Sequence, residues 1–194
     1  MMGKGWLAGA WLAMMSAAMA LSAAEPPATG DADRFTLTST DFSAGGKLAD
    51  SQVFNGFGCK GANVSPALAW SGAPSATKSF ALLVHDPDAP TGSGWWHWLV
   101  YNIPASVSAL PAGAGDPQKK LLPAGAVQGR TDFGSAAYGG PCPPPGSPHH
   151  YNFRLYALKV AKLDLPANAT AALVSFNVHS QALGEADLTG LYGR

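Results

Sequence analysis

The sequence predicts a mainly β domain, a sandwich of antiparallel sheets with few helices. Three observations carry this. Residues 79–85 and 96–103 are short apolar runs bounded by turn formers, the pattern of strands buried on both faces. Residues 151–160 alternate Tyr151, Phe153, Leu155 and Ala157 against Asn152, Arg154, Tyr156 and Leu158, which reads as a strand with one face in the core. The 194 residues include 16 Pro and 23 Gly, which favours turns over long helices.

The elements follow in order. Residues 35–38 alternate and read as a strand. Residues 41–61 hold many turn formers around Val53 and Phe54, so loop with short strands is expected. Asn63-Val64-Ser65-Pro66 is a turn before a short strand at 67–70. Between the two apolar runs lies Asp86-Pro87-Asp88-Ala89-Pro90-Thr91-Gly92. Its prolines fix φ and remove donors, so it is a rigid loop. Residues 104–125 read as irregular, 126–129 as a short strand and 138–148 as loop. Residues 168–183 approach helical spacing, with Gly184 as the stop. Residues 186–192 form a final strand. No βα alternation and no internal repeat is visible.

The length suits one domain with a sizeable core. Hydrophobic residues make up 47% and charged residues only 12%. Basic and acidic residues number 12 each and no basic stripe appears, which argues against a nucleic-acid partner. Lys4, the apolar stretch 6–21 and Ser22-Ala23-Ala24 have the layout of a secretory signal peptide. The stretch is shorter than the ~20 residues of a membrane span. Residues 1–24 are therefore expected to be a signal peptide, 25–33 a mobile leader and 34–194 the domain. A periplasmic or secreted location follows, with no integral membrane segment after cleavage. In an oxidising compartment the simplest arrangement of Cys59 and Cys142 is one disulfide. Two free thiols and a metal pair are the alternatives, and the lack of CxxC spacing weakens the metal reading.

Residues with reactive potential cluster. Asp86 and Asp88 lie in the stiff loop, His97 interrupts an apolar strand, and His149, His150 and Tyr151 open another. A buried imidazole needs partners for its ring nitrogens, and Asp86 at the end of the preceding strand is a plausible one for His97. Singly, each residue reads more readily as structural. Together, two stiff loops that each lead to histidine and strand point to one pocket. Asp132-Phe133-Gly134 resembles a kinase magnesium motif but lacks the accompanying motifs. His85 and Asp86 point to opposite faces of a strand, which disfavours a zinc site with His97 and His149. No nucleophile elbow or triad is legible.

Several motifs resemble those of the phosphatidylethanolamine-binding family. Asp86-Pro87-Asp88-Ala89-Pro90 followed by residues 94–104 is similar to its first signature. Residues 140–146 followed by His149-His150-Tyr151-Asn152-Phe153 are similar to its second. Asn63-Val64-Ser65-Pro66 and residues 129–134 resemble the bacterial Raf-kinase-inhibitor-like branch, and the two cysteines with the signal sequence look like its exported subgroup. The resemblance implies a large antiparallel sheet packed on a smaller one. It implies a ligand pocket built from Asp86, His97, His149 and Tyr151, with backbone from Gly140 and Pro141, Asp88 supporting the loop, and a cis Ala89–Pro90 bond. The ligand would be a small anionic or phosphorylated group, such as phosphate or phosphoethanolamine. No cofactor, metal or catalytic residue is expected. A homodimer, and a protein target that the chain modulates or inhibits, come from the resemblance alone.

Imidazole N–H groups and a tyrosine hydroxyl suit a phosphate oxygen. Asp86 would repel it, unless the carboxylate pairs with a histidine and holds that ring as an imidazolium facing the anion. The alternative is a small hydrolase using Asp86 and His97 as an acid–base pair.

Overall fold

The computed structural model describes residues 1–2 and 34–194. The expected signal peptide and leader lie outside the described residues, Met1 and Met2 excepted. No helix among the described residues is long and apolar enough to cross a membrane.

Ten strands and one helix are present among the described residues. The short ones are β1 (Thr36–Thr38), β2 (Asn55–Gly56), β3 (Cys59–Lys60), β4 (Leu68–Ser71), β7 (Ala109–Leu110) and β8 (Val127–Gln128). The long ones are β5 (Ser79–Asp86), β6 (Trp95–Pro104), β9 (His149–Leu158) and β10 (Ala182–Tyr192). Helix α1 is Ala171–Gln181. The large sheet has the order β10-β9-β5-β6-β8, the smaller sheet β1-β4-β7, and β2-β3 form a separate hairpin. Every strand pairing is antiparallel.

Both faces of the large sheet are covered, which explains the unbroken apolar runs. On one face Phe80, Leu82, Val84, Trp98, Val100, Phe153 and Leu155 pack with Leu37, Leu68, Trp70 and Leu110 of the smaller sheet. On the other, Ala81, Leu83, Leu99, Tyr101, Tyr156 and Leu158 meet Val174 and Val178 of α1. So β9, expected to bury one face, buries both over its second half.

The helix is shorter than its apolar spacing suggests. It starts after Thr170, whose hydroxyl accepts from the Leu173 N–H at 3.2 Å. It ends at Gln181 because Ala182 already pairs with Leu158 of β9. Gly184 is therefore no helix stop; it lies in β10 beside a register shift. The stretch 104–125, read as irregular, contains β7 at the edge of the smaller sheet.

Two irregularities in β6 matter for the site. The register steps from Asp86↔Trp95 and His85↔Trp96 to Val84↔Trp98, leaving His97 as the extra residue. A bulge of this kind bends the strand and re-aims a side chain. Simple alternation would put His97 on the helix-covered face with Leu99 and Tyr101. The bulge instead turns it towards Tyr151, on the face shared by the two sheets. The second shift lies between Phe80 and Leu82, where Asn102 takes φ 59° and its side chain binds the Leu163 backbone at both ends.

Candidate functional site

Strands β5 and β9 are antiparallel neighbours whose register runs to His85↔Asn152, which brings the end of β5 alongside the start of β9. Asp86 closes β5 and is 3% exposed. Its Oδ2 accepts from His149 Nδ1 at 2.7 Å. Its Oδ1 accepts the backbone N–H groups of Asp88 at 2.8 Å and Ala89 at 3.1 Å. The carboxylate thus turns the loop by itself, as Asx turns do. The cis Ala89–Pro90 bond implied by the resemblance is not found: no peptide bond among the described residues is cis. The two hydrogen bonds to Oδ1 reverse the chain without one.

Asp88 holds the same loop from outside. Its Oδ2 accepts both the backbone N–H and Nδ1 of His150, each at 2.7 Å. Those bonds keep its carboxyl below the usual carboxylate range, the backbone bond contributing most. Asp88 does not line the cavity that contains Asp86.

The expected Asp86–His97 pair does not form. His97 Nδ1–H donates to the Gly139 carbonyl at 2.6 Å, and His149 takes the place at the carboxylate. The reason is the bulge, which aims the His97 ring across the strand towards residue 139. His97 is buried, and desolvation pulls its pKa down to about 4, although the Gly139 carbonyl and the Asp86 charge act the other way. At neutral pH it is an uncharged imidazole with its proton on Nδ1. Nε2 is left with a bare lone pair and no protein partner among the described residues. An acid–base couple of Asp86 and His97 therefore lacks the hydrogen bond that would make it one.

The sign of this shift sets a pH dependence. An unfolded His97 binds a proton near pH 6.5, the folded one only near 4, so stability is lost as pH falls through that window. The expected loss is about 3 kcal/mol. Denaturant titrations of wild type and His97→Gln at pH 6.5 and pH 4 should show the variant losing less by that amount. Parallel losses would refute the effect.

Tyr151 is 1% exposed, and its hydroxyl is buried with no hydrogen-bond partner among the described residues. Burial pushes its pKa far up, so the proton stays on. The His97 ring stands edge-on to Tyr151, with centroids 5.0 Å apart. Asp86, His97, His149 and Tyr151 line one cavity of about 200 Å³. Its other walls are largely apolar: Phe57, Pro90, Trp95, Phe133, Pro143 and Pro144.

Gly140 and Pro141 play a different part from the one expected. The Gly140 N–H is taken by Asn63 Oδ1 at 2.8 Å, and the Pro141 carbonyl accepts from the Phe54 N–H at 3.1 Å. Neither lines the cavity. Gly140 lies against the backbone of residues 52–54 and Pro141 bonds Phe54, so the pair clamps the second loop there, while proline has no N–H for a ligand and the glycine's is already engaged. Cys59 and Cys142 form the disulfide, closing a separation of 83 residues, and Cys142 lines the cavity.

The aromatic rim was missed by sequence reasoning. Phe133 stacks on Phe57 at 5.9 Å and meets Trp95 edge-on at 5.5 Å. Phe57 is 66% exposed at the tip of the β2–β3 hairpin, with φ 53°. Phe133 belongs to a stretch that carried part of the resemblance, but only folding brings it within reach of Phe57. No cluster of three or more His, Cys, Asp or Glu with metal-holding geometry occurs among the described residues.

A large antiparallel sheet backed by a small one, with a pocket where β5, β6 and β9 meet, describes one protein family. The sequence profile of the phosphatidylethanolamine-binding protein family matches residues 38–193, and the chain belongs to that family. Among its relatives, the UPF0098 protein YbcL of Escherichia coli (strain K12) is 52% identical over 165 residues, covering 84% of this chain and 90% of the relative. The UPF0098 protein YbhB of the same organism is 47% identical, covering 80% and 98%. The crystal structure of YbcL, described as a new member of the mammalian PEBP family, matches with a TM-score of 0.81 over 82% of this chain and 98% of that one. The PEBP homolog CT736 of Chlamydia trachomatis D/UW-3/CX matches with a TM-score of 0.70 at 32% identity, over 84% and 99%.

Proposed function

We propose that this chain is an exported, non-catalytic binding protein whose pocket takes a small anionic group of the phosphate or phosphoethanolamine kind. The observation that carries this reading is the buried, unpartnered Tyr151 hydroxyl in the same cavity as the carboxylate-bound His149. A buried donor without a partner is costly, and a ligand oxygen would satisfy it. A protonated His149 donates from both nitrogens, Nδ1 to Asp86 and Nε2 to the ligand. The Asp86 charge is already met by three donors, so its repulsion of an anion is muted. The family's name supports a phosphorylated head group as the ligand. The signal-like segment 1–24 and the disulfide support export. Modulation of another protein, and a homodimer, rest on the family resemblance.

Asp86→Asn keeps an oxygen for the Asp88 and Ala89 N–H groups while removing the charge opposite His149. Inorganic phosphate should bind it at least about tenfold more weakly than wild type at pH 7, by calorimetric titration. Equal affinity would overturn the role given to the Asp86–His149 pair.

A further inference from the structure

We propose that this site, read as the anion pocket above, selects oxyanions that still carry a proton, because His97 meets the ligand as a hydrogen-bond acceptor. The geometry is specific. The Gly139 carbonyl takes the Nδ1 proton at 2.6 Å, which settles the tautomer and leaves Nε2 with a lone pair. The ring is buried in the cavity wall, and no protein donor among the described residues reaches Nε2. The groups around it are Asp86 and His85 from β5, Asp132 from the loop after β8, and Tyr151 and His149 from β9. Tyr138, buried nearby, keeps its proton. None of these would put a second proton on the ring at neutral pH; burial holds it neutral.

An oxyanion filling this cavity meets a donor in the Tyr151 hydroxyl and an acceptor in His97 Nε2. A P–OH group satisfies both. An oxyanion without a proton sets an oxygen lone pair against the Nε2 lone pair and forfeits that bond. A site built around a buried acceptor rejects the analogue that cannot donate to it. The favoured class is inorganic phosphate, which keeps a proton across the neutral range, and phosphomonoesters in their singly charged form. Sulfate is disfavoured, and phosphomonoesters, phosphoethanolamine included, bind through their singly charged form.

Three probes separate the possibilities: inorganic phosphate, sulfate and methyl phosphate, each titrated calorimetrically into wild-type protein from pH 5 to pH 8. Phosphate should bind roughly 30-fold or more tightly than sulfate throughout. Methyl phosphate should resemble phosphate at pH 5 and fall towards sulfate at pH 8, since its second ionisation lies near about pH 6. The sulfate series reports the titration of the protein's own groups, so the difference isolates the ligand proton. A nitrogen NMR spectrum of the imidazoles gives a second readout, in which the His97 Nε2 signal moves with phosphate but not with sulfate. Equal binding of all three probes at every pH would overturn this selectivity and leave the anion pocket standing. No binding of any probe would overturn both.

Discussion

Removing the Cys59–Cys142 bond, by reduction or by a Cys59→Ala, Cys142→Ala double variant, is expected to lower the unfolding free energy by about 4–5 kcal/mol. The bond closes a separation of 83 residues, and releasing a loop of that size restores this much chain entropy to the unfolded state. The native state is affected locally as well. Cys59 sits in a hairpin whose strands are two residues each, too short to persist alone. Its tip residue, Phe57, forms part of the cavity wall against Phe133. Cys142, in the loop before β9, lines the same cavity from the other end of the bond. Reduction should therefore weaken phosphate binding as well as stability. Urea titrations with and without reductant measure the first effect, and calorimetry under conditions where both forms stay folded measures the second. Unchanged affinity in the reduced protein would break the link between bond and pocket.

Gly140→Ala is expected to cost about 4 kcal/mol, near the upper end for a single substitution. A Cβ at this position would overlap the Gln52 carbonyl oxygen and lie 2.7 Å from the Phe54 nitrogen. Both are backbone atoms, so no side-chain rotation relieves the clash. The second loop would have to retreat from residues 52–54, losing the Gly140 N–H bond to Asn63 and the Pro141 carbonyl bond to Phe54. Thermal denaturation should show a large drop in Tm with the disulfide intact. An Ala variant as stable as wild type would mean that the loop does not need this close approach.

Gly140 also shows why the site was only partly legible. A glycine beside a cavity can offer its N–H to a ligand or allow backbone to approach backbone. The sequence pattern is the same in both cases. Only the position of Asn63, 77 residues away, decides between them. Strands β5 and β6 were legible as apolar runs buried on both sides and β9 from its alternation, and α1 was legible as a helix from its spacing. Its ends were not, because the pairing of Ala182 with β9 competes with another helical turn.

Sequence alone pointed to the sandwich, to the four side chains that line the cavity through their resemblance to family motifs, and to one disulfide as the simplest arrangement of two cysteines. Those follow from local apolar patterning, from motif residues that lie at strand ends, and from there being two cysteines. Tertiary structure decided which histidine holds Asp86 and which stays neutral. A single extra residue in β6 turns His97 away from the carboxylate and towards the Gly139 carbonyl, while the antiparallel register of β5 and β9 delivers His149 to Asp86. A bulge changes the face of a side chain without changing composition or apolar spacing, so its effect exists only once the strands are paired.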